Sequence, residues 1–184
     1  MSCARIPRDY LAMAPRSRVL LSHPTEADEE EFLARMRASR ELHRPWLYPP
    51  LTPADYRRYV ATLGERKVGY LGRRREDGAL VGYANVGEIV RGSLQGGFLG
   101  YVGVAEFAGQ GYMTELLRLV LRDAFTRVRL HRLEANIQPG NAGSIALAAR
   151  CGFEREGFSP RYLKIGGRWR DHERWAIRRE TWLG

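Results

Sequence analysis

Between residues 113 and 125 the apolar side chains Met113, Leu116, Leu117, Val120, Leu121, Ala124 and Phe125 fall at i, i+3, i+4, i+7, i+8, i+11 and i+12. That spacing puts them on one side of an α-helix and fits no strand, whose side chains alternate between faces. A helix with one apolar face must bury it, and the segments on either side supply a sheet to bury it against. Before it, Val68 to Arg73, Leu80 to Val90 and Phe98 to Val104 read as strands. Glu76-Asp77-Gly78 and Arg91-Gly92-Ser93 punctuate them with turn chemistry that makes an antiparallel meander. After it, His131 to Ile137 reads as a strand, and Asn141 caps a short helix to about Arg150 that Gly152 ends. Phe153 to Ile165 and Trp169 to Ile177 form a last strand pair turning at Gly166-Gly167.

The first third is built differently. Arg18 to Ser22 is a short strand, and Thr25 with Asp28 three residues on opens a helix through Phe32, Leu33 and Met36 that stops before Pro45. Thr52-Pro53 repeats the device, with Thr as cap and Pro in the first turn, for a second helix carrying Tyr56, Tyr59, Val60 and Leu63. The expected architecture is a mixed sheet with helices on both faces. The chain has no internal repeat or long linker, so residues 1–184 are read as one domain. With 184 residues and 44% hydrophobic content it buries a core without help from metal or disulfide. Cys3 and Cys151 show no metal-ligand spacing and no disulfide framework. No apolar run approaches the roughly 18 residues a membrane helix needs. Met1 to Tyr10 mixes Arg5, Arg8 and Asp9 without a hydrophobic stretch, so a cytoplasmic location without membrane contact is expected.

Charge narrows the partners without selecting one. The formal net charge is +9, and all but two of the 30 basic residues are arginine. Such a surface attracts phosphates, whether in a nucleotide-like cofactor or RNA, and acidic protein faces. The informative junction is Gly109-Gln110-Gly111-Tyr112-Met113-Thr114, where a strand passes into the long helix. Two glycines let backbone amides crowd together, and the helix's unpaired first N–H groups add a positive dipole end, which suits a pyrophosphate. A Walker loop would need Gly-Lys-Ser/Thr at the helix start, and no such tripeptide occurs. A dinucleotide fingerprint would need a third glycine where Thr114 stands and a parallel unit around it.

The order strand, A-G-Q-G-Y-M-T, long helix, H-R-L-E-A-N, then N-A-G-S-I-A-L-A-A-R-C-G-F resembles the GNAT family of N-acetyltransferases. The strings V-R-G-S-L, E-R-E-G-F and G-R-W-R-D-H are similar to the ribosomal-protein-alanine acetyltransferases of RimJ/RimL type. The likeness runs from about Arg18 to about Ile177. It implies an α/β (α+β) GNAT fold, with a central, mostly antiparallel mixed sheet of six to seven strands; the sequence leaves monomer and homodimer both open. It further implies acetyl-CoA as acetyl donor, no metal, and direct attack by an amine in a ternary complex. By this resemblance Tyr101, Val102, Gly103 and Val104 form the strand that pairs with the pantetheine arm and offers an amide to the thioester carbonyl. Gly109, Gln110, Gly111, Tyr112, Met113 and Thr114 form the pyrophosphate loop. Glu106 stands where family loops commonly carry Arg or Gln, which removes side-chain help from that position. Asn141 and Ser144 match the Asn-x-x-Ser that lies near the cofactor's sulfur, with Ser144 placed to hydrogen-bond the departing thiolate and Asn141 either a cofactor contact or a plain helix cap.

For a base, Glu134 and Asn136 alternate onto one strand face and can hold a water, with Glu134 pairing to an arginine as the competing reading. Asn136 also counts with the cofactor-binding set. A strong base is dispensable for an α-amine, whose pKa near 8 leaves it partly neutral at pH 7, and not for a lysine amine near 10.4. Trp46, Tyr48, Tyr83 and Phe98 shape an acceptor pocket or belong to the core. His43 and His131 are read as structural, and Trp169, Arg170 and Asp171 as acceptor-side or strand-pairing residues. Cys151 has no local His or acid to make it a nucleophile. The acceptor is read as the N-terminal α-amine of a ribosomal or other protein. The rivals are a small amine, amino acid or antibiotic, and a non-catalytic RNA- or ribosome-binding module; direct nucleic-acid binding is not expected.

Overall fold

The structure, a computed structural model, describes residues 17–182, so Cys3 and the expectations for residues 1–10 lie outside the described residues. The chain order is β1 (Val19–Ser22), α1 (Glu29–Ala38), α2 (Arg40–His43), α3 (Pro53–Ala61), β2 (Val68–Arg74), β3 (Leu80–Val90), β4 (Gly96–Gly103), α4 (Tyr112–Thr126), β5 (Arg132–Ile137), α5 (Ala142–Arg150), β6 (Glu154–Ile165) and β7 (Arg168–Arg178). The strands form one seven-stranded sheet in the order β1-β2-β3-β4-β5-β7-β6. Every neighbouring pair is antiparallel except β4 and β5. No described helix is long and apolar enough to cross a membrane.

Local chemistry accounts for the boundaries. Thr25 and Asp28 make the reciprocal capping box, but it opens a short 3-10 turn that runs into α1. The single first helix expected up to Pro45 is broken at Ser39, whose hydroxyl donates back to the Arg35 carbonyl at 2.8 Å, and resumes as α2. Thr52 Oγ1 accepts from the Asp55 amide with Pro53 in the first turn of α3. Strand β4 starts two residues earlier than its apolar pattern, because Gly96 and Gly97 let the backbone come close to Arg132 and Gly87. Gly166 and Gly167 both take positive φ, the requirement of the two-residue turn that joins β6 to β7.

The helices lie on both faces. A side chain at Gly69 would meet Tyr59 and Leu63 next to α3, whereas one at Gly72, three residues on, would meet Leu116 of α4. Odd spacing along a strand means opposite faces. On the α1 and α3 face Phe32, Tyr56, Tyr59 and Tyr83 form an aromatic cluster with centroids 4.8 to 6.1 Å apart. On the α4 face the whole predicted stripe is buried except Met113, which is partly buried. The one buried carboxylate of α4, Asp123, accepts from Tyr70 at 2.7 Å and from Arg127.

The single parallel contact positions the site. β4 and β5 pair only through Gly96–Phe98 and Arg132–Glu134. Beyond that, β4 continues along β3 as far as Gly103, and β5 continues along β7 as far as Ile137. The two strands therefore part, and each leaves an unpaired edge facing the gap.

Candidate functional site

Strand parity tells which peptide groups face the gap. The Val104 N–H donates to the Val81 carbonyl at 3.0 Å. Hydrogen-bonding direction alternates along an antiparallel strand, so Val102 also turns toward β3 while Tyr101 and Gly103 turn their backbone groups into the gap. The Gly103 carbonyl accepts from His43 Nε2 at 2.8 Å, and the Ala105 N–H donates to Ser39 Oγ at 2.9 Å. Two side chains four residues apart at the α1–α2 junction thus grip the end of β4.

A cavity of ≈ 540 Å³ opens along this edge. One end is the strand-to-helix loop. Gly109 and Gly111 have φ of 75° and 85°, left-handed values that favour glycine. The Tyr112 and Met113 amides stand in the first turn of α4 ahead of its intrahelical bonds, whereas Thr114 and Glu115 donate to the Gly111 carbonyl. Amides crowded at a helix N-terminus are suited to an anion. The loop is braced from outside: Arg18 pairs with Glu115, donates to the Gln110 carbonyl and lies 4.4 Å over the Tyr112 ring. Gln110 Nε2 donates to the Glu106 carbonyl, and Glu106 is ion-paired with Arg35.

Helix α5 supplies the opposite wall. Asn141 Oδ1 accepts from the Ser144 amide at 3.2 Å, which fixes its side chain as the cap. Gly143, Leu147 and Arg150, at i, i+4 and i+7, all border the cavity. Ser144 Oγ lies 2.7 Å from the Tyr101 hydroxyl, so two hydroxyls from opposite walls meet beside the β4 edge. Burial pushes the Tyr101 phenol up to about 12, against a smaller opposing pull from Ser144. Tyr101 is therefore a neutral donor across the working pH range. The Cys151 thiol is pushed up to about 11, chiefly by burial, and its Sγ lies near the Thr114 carbonyl, an environment for an inert thiol.

The third wall is the segment after α2. Leu42, His43, Trp46 and Leu47 border the cavity. Gln138 Nε2 donates to the Trp46 carbonyl at 2.8 Å, and the Trp46 ring sits over Gly140. Tyr48 lies against Gly166 at the β6–β7 turn. Residues 44–51 thus form a strap from α2 across the β4–β5 gap, on the face opposite α4.

The structure brings together Tyr101, Val102, Gly103, Val104, Gly109, Gly111, Met113, Thr114, Asn141 and Ser144 around this cavity. Gln110 and Tyr112 support the loop from behind. Glu134 and Asn136 do not border it: Glu134 Oε1 accepts from Arg132 at 2.8 Å, and Asn136 Oδ1 is buried without a hydrogen-bond partner. Of the aromatic candidates, Trp46 borders the cavity, Tyr48 borders a small neighbouring one, Tyr83 is core and Phe98 is exposed. His43, read from the sequence as structural, borders the cavity: it is buried, its Nδ1 has no partner, and desolvation lowers its pKa. Arg150 was legible only as a helix end, although its spacing from Gly143 and Leu147 carried the signal. Among the described residues no group of three or more His, Cys, Asp or Glu is placed to hold a metal ion.

Comparison with known proteins bears on this geometry. Residues 18–154 match the family model of the acetyltransferase (GNAT) domain. The chain is 45% identical over 69 residues, 38% of each protein, to the probable N-acetyltransferase YjcK of Bacillus subtilis (strain 168). It is 40% identical over 77 residues to the ribosomal protein uS5-alanine N-acetyltransferase of Escherichia coli (strain K12), covering 42% of this chain and 40% of the relative. These matches span about two fifths of the curated relatives' length. Among solved structures, Mycobacterium smegmatis RimJ in complex with CoA-disulfide is similar with a TM-score of 0.82 and 28% identity, over 90% of this chain and 84% of that one.

Proposed function

The chain belongs to the acetyltransferase (GNAT) family, and from that premise we propose that it transfers the acetyl group of acetyl-CoA to the N-terminal α-amine of a protein. The observation that carries this reading is the unpaired edge of β4 beside the Tyr101–Ser144 hydroxyl pair, with the Gly109–Met113 amides at the other end of the same cavity. In this assignment the backbone groups of Tyr101 and the Gly103 N–H hold the donor's amide-bearing arm, the Gly103 carbonyl being engaged by His43. An N–H on that edge meets the thioester oxygen as it gains charge, and the loop amides take the pyrophosphate. Ser144, hydrogen-bonded to the neutral Tyr101 phenol, donates to the sulfur as the C–S bond breaks.

The absence of a carboxylate from the residues bordering the cavity supports an α-amine over a lysine side chain. Glu134 is held by Arg132, so no acid stands ready to deprotonate an ammonium of pKa near 10.4, whereas an α-amine near 8 arrives partly neutral. Incubating the protein and acetyl-CoA with unacetylated small-subunit ribosomal proteins, with and without blocked N-termini, tests this by intact-protein mass analysis. One added acetyl on one protein, lost on blocking, is the expected result. Acetyl-CoA binding without any acetylated protein would refute the α-amine assignment and direct the search to small amines.

A further inference from the structure

The donor's path fixes where the acceptor must enter. With the pyrophosphate at the α4 N-terminus and α5 beside it, the amine has to reach the thioester from the other face of the sheet, past the strap. A second, small cavity of ≈ 30 Å³ lies there, bordered by Arg40, His43, Arg44, Leu47, Tyr48, Pro49 and Leu51. His43 and Leu47 border both cavities, so they are the wall between them. The space holds about one water or one carboxylate oxygen.

Arg40 and Arg44 are four residues apart, both are exposed, and neither takes part in a salt bridge among the described residues. Many other arginines are committed: Arg18 to Glu115, Arg73 to Asp28 and Glu31, Arg127 to Asp123, Arg132 to Glu134 and Glu156. Lys164 and Arg168 flank the turn against which Tyr48 rests, and they too are in no salt bridge among the described residues. Two carboxylates are close in sequence. Glu41 borders neither cavity, and Asp171 accepts from the Arg161 amide and is engaged in the β6–β7 bulge. The entrance is therefore cationic, with no acid bordering either cavity, an arrangement that repels a polyamine and rewards negative charge.

We propose that the acceptor is a protein N-terminus followed within a few residues by Asp or Glu, whose carboxylates are held by Arg40 and Arg44. This inference rests on the α-amine reading above. Arginine suits the task because its planar fork stays charged and meets a carboxylate through two parallel N–H donors. Because the pairs are exposed, their contribution is modest and is screened by salt.

The test uses the full chain with acetyl-CoA and three peptides that share the same first residue and differ downstream in being acidic, neutral or basic. The acidic peptide should have about tenfold higher kcat/KM than the neutral one, and the basic peptide the lowest. Raising the salt from low ionic strength to about 0.5 M should shrink the difference. The double variant Arg40→Glu/Arg44→Glu should reverse the order while still acetylating the neutral peptide, which shows that it is folded and binds donor. Equal kcat/KM on all three, or a preference that survives the charge reversal, would overturn the acidic-acceptor inference alone. Acetylation of none of them would overturn the α-amine reading beneath it. Submicromolar inhibition by single-stranded RNA, lost in the double variant and without a peptide preference, would reassign these arginines to nucleic acid and likewise overturn the proposal.

Discussion

At Gly109 a side chain would meet nothing within 4 Å, so its effect is confined to conformation and to the ligand. The φ of 75° costs an L-residue about 1–2 kcal/mol, and a branched side chain crowds the amides assigned to pyrophosphate. Gly109→Val should therefore weaken acetyl-CoA binding by tenfold or more in calorimetric titration while the protein stays folded; unchanged affinity would remove the loop from the donor site. At the other end of the cavity, Tyr101 and Ser144 should behave as one unit. Tyr101→Phe and Ser144→Ala are each expected to lower kcat by about tenfold with little change in KM for acetyl-CoA. The double variant should be hardly worse than either single one, and additive losses would mean that the hydroxyls act apart. Glycines at a strand-to-helix junction leave a mark in residue type and order, whereas the Asn-x-x-Ser helix start and the β4 edge could be placed at the site only through the family resemblance. Trp46 and Tyr48 of the strap were legible only as aromatic pocket-or-core candidates, and the role of His43 was not legible at all: it comes from a carbonyl 60 residues away, and a lone histidine in sequence has no partner to betray it.

Elements were legible where one physical requirement dominated. The α4 stripe, the Thr52-Pro53 start and the Gly166-Gly167 turn were each set by local chemistry and emerged with boundaries close to expectation. What periodicity could not supply was the parting of β4 from β5, because register between strands 36 residues apart in sequence is decided by packing. Close packing of α4 on the sheet shows how little tolerance that arrangement has. A Cβ at Gly82 would stand 2.5 Å from Met113 Sδ and 2.7 Å from the Val102 carbonyl oxygen, so any side chain must push α4 or β4 aside. Gly82→Val should lower stability by about 1–3 kcal/mol through overpacking and impair donor binding, since both displaced elements line the cavity. Gly100, on the next strand, has open space at its Cβ, and Gly100→Val provides the matched control. Urea unfolding midpoints decide the matter: equal losses at the two sites would mean that strand propensity, and not contact with α4, governs the effect.

For the molecule as a whole, acid should act in two stages that separate buried histidines from paired carboxylates. His43 and His172 are both buried, and desolvation is the first cause that lowers each pKa below the usual 6.5, against smaller opposing effects of backbone hydrogen bonds to Gly103 and Arg170. The unfolded chain takes up these protons near 6.5 and the folded chain only at lower pH. Stability is thus fully present above about 6.5 and declines as pH falls through the interval below it, by at most about 1.4 kcal/mol per pH unit for each histidine. The carboxylates contribute in a different window. Arg74 holds Asp77 down to about 2, and Arg132 holds Glu156 below its ordinary value, so what they add is present above the normal carboxylate range and fades only below roughly pH 4.5. Urea midpoints measured between pH 8 and pH 4 should be level above 7, fall as the pH drops below 6.5, and fall more steeply below 4.5 as the carboxylates add their loss. His43→Gln/His172→Gln should flatten the first fall and leave the second, because glutamine keeps a donor near Gly103 and takes up no proton. A wild-type midpoint that stays level from pH 7 to pH 5 would mean that these imidazoles are charged in the folded protein as readily as in the unfolded one, and that their burial does not set its acid limit.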